Sequence, residues 1–306
     1  MTGVQTCALP ICSRYALQKQ SAKEWFGART RKLLVPATVG LLAFQWMTGY
    51  FNTHIAGVDV LAAVPQPVKY LLWAVSGVGP LWFIQDLWLF SLLLLLIRKI
   101  DANDRLYRGK LGGVWILLLG ILFWLGEYTM NFHPRVGTMD GLWNLYKPVF
   151  YFILFLMGYC IFSRDEVQET LGKAWVALMS AAVVSGILLV VTTYGQDNTT
   201  PQYLASPLNN LYGWLMCLAM MGWFKARFDR TNAFAGYMTR SSFGLYVVHY
   251  LVIAGLGYML KFHTALLPVA IYALLTVAVF TLSPLLYETI RRIPVLRWCV
   301  LGESKK

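Results

Sequence analysis

Gly79-Pro-Leu-Trp82-Phe-Ile-Gln-Asp86-Leu-Trp-Leu-Phe-Ser-Leu-Leu-Leu-Leu-Leu-Ile97 runs directly into Arg98-Lys99. The run holds one carboxylate and is long enough to cross a bilayer core, which takes about 20 apolar residues at about 1.5 Å each. The two basic residues at its end are the kind of charge that stays on the cytoplasmic side of a membrane. Outward from this stretch, seven more segments read the same way. With it they make eight predicted spans: 34–51, 79–97, 112–130, 146–163, 174–194, 206–224, 241–260 and 266–288. Residues 60–70 are also apolar, but Pro65 and Pro67 interrupt them, so they read as an outer loop or an interfacial piece.

Composition supports this reading over the whole chain. Of the 306 residues, 58% are hydrophobic and 13% charged, with a mean hydropathy of +0.56. Soluble domains carry about a quarter charged residues. A water-facing fold would have no means of covering so much apolar surface, whereas lipid covers it. The expected fold is an all-α, polytopic transmembrane helical bundle of about eight helices.

The formal charge of +12 does not mark a nucleic-acid protein. Its lysines and arginines lie in short loops between apolar segments rather than on one folded face. Most of the 26 basic residues fall in alternate loops, and the other loops keep only Lys69, Arg135, Lys147 and Lys261. That alternation places both ends in the cytoplasm, with loops 52–78, 131–145, 195–205 and 261–265 outside, as expected in a bacterial inner membrane.

The first residues, MTGVQTCALPI, lack the basic start and long apolar run of a signal peptide. They match the conceptual translation of a sequencing-library adapter. Residues 1–12 are therefore set apart from a single transmembrane domain over 13–306, and the natural N-terminal segment is expected to be absent. On that expectation residues 13–306 alone insert in a membrane but are inactive. The five cysteines form no CxxC and no paired framework, and no metal-ligand spacing, phosphate-binding glycine loop or nucleophile elbow occurs.

A few polar residues stand out against this background. His249, in SSFGLYVVHYLVIAGLGYML, is the one histidine of four inside a predicted span, about 12 Å from that span's cytoplasmic end. Ser242, Tyr246 and His249 share one helix face by i, i+4, i+7 spacing. A histidine there either fixes helix packing, lines a substrate path or acts in catalysis. Asp86 reads as an intramembrane carboxylate about 10 Å below the outer surface, either an outer-vestibule residue or an ion-pair partner. Arg29 and Lys32, in KEWFGARTRKLLVP, lie about one turn apart and present positive charge to a phosphate or to lipid headgroups.

Three of these stretches together resemble membrane acyltransferase family 3, especially its branch that succinylates periplasmic glucans. Arg29-Thr-Arg-Lys32-Leu-Leu-Val-Pro36 resembles the family's Arg-x-x-Arg-Leu-x-x-Pro, with Lys32 in place of the second arginine. Gly79-Pro-Leu-Trp82-Phe83 resembles its Leu-Trp-Phe helix start, and Ser242-Phe-Gly-Leu-Tyr246-Val-Val-His249 its Ser-x-x-x-Tyr-x-x-His helix. The resemblance covers residues 21–292.

It implies transfer of an acetyl or succinyl group from cytoplasmic acyl-CoA to a hydroxyl of an extracytoplasmic glycan. The implied partners are acyl-CoA, a carbohydrate acceptor and membrane lipid, without a metal or nucleic acid. Arg29 and Lys32 become contacts for the CoA phosphates. His249, Asp86, Trp82, Ser242 and Tyr246 become candidates for lining the substrate path. Family members have about ten spanning helices, so about two are expected to be missing here. The family's catalytic histidine belongs to its first helix, and no residue here matches it, which leaves His249 as the remaining candidate. The competing readings are a glycan transporter and a non-catalytic membrane subunit. A transporter would show broken helices or inverted repeats, and the sequence displays neither.

Overall fold

The computed structural model describes residues 13–57, 64–101, 104, 112–131, 148–229 and 232–303. Among these, every regular element is a helix. In chain order the main ones are α1 (Ala22–Ala56), α2 (Gln66–Ser76), α3 (Trp82–Ile100), α4 (Gly113–Asn131) and α5 (Pro148–Phe162). They continue with α6 (Asp165–Thr193), α7 (Pro207–Phe228), α8 (Ala233–His263), α9 (Pro268–Arg292) and α10 (Pro294–Leu301). All eight predicted segments fall on helices, and the all-α, membrane-type reading holds. Five helices among the described residues are long and apolar enough to cross a membrane: α1, α3 with its preceding turn, α6, α8 and α9. The apolar parts of α4 and α5 are shorter. Residues 1–12 and most of the predicted outer loop 131–145 lie outside the described residues.

The chain divides into two compact units, residues 1–25 with 92–230 and residues 26–91 with 231–306. The first unit is built on α4 to α7. Its core joins Ile116 of α4, Phe150 and Leu154 of α5, Val167 and Leu171 of α6, and Trp214 and Leu218 of α7. Three of these pairs are four residues apart, so each helix offers one face. Between α6 and α7 the connection closes on two side-chain caps. Thr200 accepts from the Tyr203 amide and Ser206 from the Asn209 amide, both at 3.3 Å. Near the start of the described chain, Arg14 grips Asp104 with both terminal nitrogens, at 3.0 and 3.2 Å.

The second unit holds the sequence motifs. In it α1 runs alongside an antiparallel arm made of two helices, α2 and α3. Phe26 meets Trp88 at 5.9 Å between ring centroids, the Trp88 indole donates to Thr30 at 3.0 Å, and Gln85 donates to the Ala37 carbonyl at 3.2 Å. Further along α1, Tyr50 meets Trp73 of α2 at 5.1 Å. The arm is therefore one broken helix, and residues 66–76, read as an outer loop or an interfacial piece, are helical. Pro67 stands in the first turn of α2, where a missing N–H costs nothing, so it starts the helix that it was expected to break.

The break itself, at 77–81, has local causes. Pro80 has no amide hydrogen to donate to the Ser76 carbonyl, and a 3-10 turn, Gly79–Leu81, bridges the gap. Gly77 packs against the Gln45 backbone with no room for a side chain. Gly79 has φ of +41°, and a Cβ there would come within 2.7 Å of the Tyr250 ring.

Helix α8 runs parallel to α1: Gln45 reaches Val247, and Lys261 donates to the Ile55 carbonyl at 2.7 Å. The helix begins at Ala233, eight residues before the predicted span, which sets a polar turn beyond the apolar stretch. Only 6% of the most apolar window of α9 is buried, which suits lipid contact. Helix α10, too short to register as a span, buries Cys299, Val300 and Leu301 against its unit.

Candidate functional site

The basic end of the second unit is shaped by Pro36. Its ring nitrogen offers no hydrogen to the Lys32 carbonyl, and α1 widens into a π turn over Thr30–Leu34. Arg29 precedes that turn and Lys32 lies within it, so the regular one-turn spacing read from the sequence does not hold. Arg29 is half-buried, whereas Lys32 is exposed with its ammonium 5.4 Å from the centre of the Phe243 ring. Gly302, in a left-handed conformation, caps α10 directly on the Arg31 and Lys32 backbone. The C-terminal helix thus props the basic segment from below, a support that no motif announced.

Asp86 lies one turn into α3, between the Trp88–Thr30 and Gln85–Ala37 rungs. The sequence reading measured its depth from residue 79 as the outer surface. The helical arm itself extends back to Gln66, so Asp86 lies well inside it rather than near its end. Asp86 is level with Ala37, only about 8 Å along α1 from Lys32. It is therefore nearer the basic end than the far end. Its Oδ2 is sealed from solvent and makes no hydrogen bond among the described residues.

Tyr246 and His249 lie deeper, at the helix break. The Tyr246 hydroxyl donates to the Pro80 carbonyl, one of the groups freed by the break. His249 Nδ1 lies 2.7 Å from the Tyr246 carbonyl. A carbonyl only accepts, so Nδ1 carries the proton and the neutral ring keeps its lone pair on Nε2. The Tyr246 and His249 rings are 5.7 Å apart. Along α8, His249 lies about 14 Å from Arg240 and about 18 Å from Lys261, close to the middle of that helix.

Ser242 shares the face but not the network. It is exposed, and its hydroxyl bonds back to Thr239 at 3.1 Å. Trp82 opens α3 just after the break, half-buried and edge-on to Phe83 at 5.7 Å.

Two residues missed by the sequence reading hold this arrangement. Gln45, 3% exposed, donates to the Val247 carbonyl at 3.0 Å and accepts from the Thr48 hydroxyl at 2.9 Å. Tyr250 packs on Gly79, and its hydroxyl lies 3.5 Å from the Asn52 amide. The signal for Gln45 was present as an amide inside an apolar run, which in lipid calls for a partner.

Chemically, the second unit offers cationic groups at one end and a buried carboxylate oxygen a short way in. At the helix break lie a histidine of defined tautomer and a tyrosine hydroxyl. Such a set can hold an anionic group, then orient and deprotonate a hydroxyl deeper in. Comparison with known proteins found no match among curated proteins and none among solved structures. The acyltransferase domain of family 3 matches residues 6–288, so the chain belongs to that family and is a membrane acyltransferase in the general sense.

Proposed function

We propose that the protein moves an acyl group, acetyl or succinyl, from cytoplasmic acyl-CoA to a hydroxyl of an extracytoplasmic glycan. The glucan-modifying branch is the one its motifs resemble most. In this reading the basic end faces the cytoplasm of a bacterial cell, and both described ends of the chain lie there. The observation that carries the reading is the order of groups along α1, α3 and α8. Arg29 and Lys32 come first, Asp86 about 8 Å further, and Tyr246 with His249 at the break.

Arg29 and Lys32 bind the CoA phosphates; lysine does so as a point charge without the arginine fork. Asp86, Trp82 and Ser242 line the path of the thioester arm. His249 Nε2 takes the proton of the attacking hydroxyl as its oxygen bonds to the acyl carbon. The carbon–sulfur bond breaks, and that proton leaves with the CoA thiolate as the free thiol.

The test uses inverted membrane vesicles containing the product of the gene cloned from its source DNA. With acyl-labelled acetyl-CoA or succinyl-CoA supplied outside, label should accumulate in glycan inside the lumen. Glycan crossing the vesicle membrane with no need for CoA would support the transporter reading instead. That reading gains one specific observation, the broken helix at 77–81, since transporters also use mid-membrane breaks.

A further inference from the structure

We propose that Gly302, at the end of α10, is a positioning residue that holds the π turn of α1 in the form that presents Arg29 and Lys32. This role rests on the reading of those two residues as acyl-CoA contacts. All the groups concerned belong to the second unit. The turn over Thr30–Leu34 closes on hydrogen bonds one residue longer than those of an α-helix. Successive α-helical residues are about 100° apart, so a return to regular α geometry would swing Arg29 by about that angle around α1, relative to the residues that follow the turn. Pro36 explains why the regular turn is absent, since it offers the Lys32 carbonyl no hydrogen. It does not fix what replaces that turn.

The end of α10 lies directly against the turn. Gly302 has φ of +64°, its amide donates to the Trp298 carbonyl at 3.0 Å, and the Glu303 amide donates to the Arg297 carbonyl at 3.3 Å. With the helix closed in this way, the Gly302 hydrogen that a side chain would replace faces α1. A Cβ in its place would lie 2.5 Å from the Arg31 carbonyl oxygen, 2.8 Å from Lys32 Cα and 3.1 Å from the Lys32 oxygen. All three atoms are backbone, which has no rotamer by which to retreat. A glycine Cα–H against a carbonyl oxygen is itself weakly attractive.

Other contacts seat α10 independently of this one. Leu301, 1% exposed, packs on Gly244 of α8, where a Cβ would come within 3.2 Å of its methyl carbon. Gly40 of α1 leaves 2.8 Å between a Cβ and the Cys299 carbonyl oxygen. Glycines at 40, 244 and 302 thus let three backbones close on one another, the usual device for tight helix contact in membranes. Phe243, next to Gly244, carries the Lys32 ammonium over its ring at 5.4 Å. Lys32 is therefore located at both ends, its backbone by Gly302 and its charge by Phe243, and Leu301 joins the two supports. A glycine that merely closes a helix needs the left-handed conformation and nothing more. Gly57 is such a residue, ending α1 at φ of +66° with nothing within 4 Å of a Cβ.

The test compares Gly302→Ala with Gly57→Ala in the full-length protein in lipid nanodiscs, by hydrogen exchange and by equilibrium binding of acetyl-CoA. Both substitutions carry the strain of a left-handed alanine, and only the first has a neighbour to displace. Gly302→Ala should speed amide exchange across Thr30–Leu34 and bind acetyl-CoA about three- to tenfold more weakly. In acyl transfer the loss should appear in KM for acetyl-CoA with kcat retained. Gly57→Ala should change none of these. Gly40→Ala pushes on α10 from about 12 Å further along α1 and should act as Gly302→Ala does. It decides the outcome if Gly302→Ala melts earlier than Gly57→Ala. Unaltered exchange in the turn, equal effects at Gly302 and Gly57, or faster exchange with unchanged acetyl-CoA affinity would overturn the proposal. Arg29→Ala/Lys32→Ala separates the two ways of failing. Weaker binding in that double variant but not in Gly302→Ala removes the positioning role alone, whereas unchanged binding in both removes the acyl-CoA reading with it.

Discussion

Gln45 of α1 donates its amide hydrogen to the Val247 carbonyl of α8, 3.0 Å away, while its own oxygen accepts from Thr48. Val247 lies two residues before His249, so a buried side chain on one helix sets the backbone position of the candidate site on another. Interhelical hydrogen bonds inside membranes contribute modestly, about 0.6 kcal/mol on average and up to about 1.7. Gln45→Leu should therefore lower stability by about 1 kcal/mol, read as an earlier thermal transition in detergent. An unchanged transition would show that this bond does not hold α8 to α1.

The helix break should be intolerant of side chains. At Gly77 a methyl group would run into the Gln45 backbone, and at Gly79 it would meet both the Tyr250 ring and an unfavourable φ. Overpacking of this kind costs about 1–3 kcal/mol. Gly27→Ala, in open space within α1, should instead be neutral or stabilise by up to about 1 kcal/mol. Thermal unfolding of the three variants tests the contrast. Equal effects at all three glycines would mean that the chain is not tightly packed at 77–81.

The tautomer of His249 is directly observable. With the histidine nitrogens labelled by nitrogen-15, the neutral ring should show a protonated Nδ1 and a bare Nε2. His249→Asn places an amide where Nδ1 was and so keeps a donor for the Tyr246 carbonyl, but supplies no base at Nε2. In the product of the gene cloned from its source DNA, folding should survive this change while acyl transfer is lost. A protonated Nε2, or full transfer by the asparagine variant, would remove His249 from the chemistry.

Lipid contact of α9 gives a residue-level pattern. Single cysteines at Val277 and Phe280, 63% and 77% exposed, should be quenched or cross-linked by reagents dissolved in the bilayer. Cysteines at Ser283 and Tyr287, each 3% exposed, should be protected. Equal labelling at all four positions would contradict the orientation of α9.

Much of this architecture is legible in the sequence because a bilayer imposes one simple rule, a long apolar run with charges outside it. The runs around Leu92–Leu96 and Val190–Val191 obey it without ambiguity. The rule fails where a helix is broken or short. Pro65 and Pro67 read as breakers, although a proline in the first turn is harmless, and so α2 reads as an outer loop or an interfacial piece rather than as a regular helix. Helix α10 went unseen because eight residues cannot span a bilayer. Tyr246 and His249 were found by their spacing. Their anchors Pro80, Gln45 and Tyr250 were missed because pairing across helices leaves no period in the chain.

The central claim is that the basic end of the second unit receives acyl-CoA. Equilibrium binding of labelled acetyl-CoA to the protein in nanodiscs tests it most directly, comparing the unaltered chain with Arg29→Ala/Lys32→Ala. A charge-assisted hydrogen bond contributes about 1.5–3 kcal/mol, so the double variant should bind at least about tenfold more weakly. Its thermal transition should be unchanged. Equal affinity for acetyl-CoA in the two proteins would contradict the account and leave these residues as markers of topology alone.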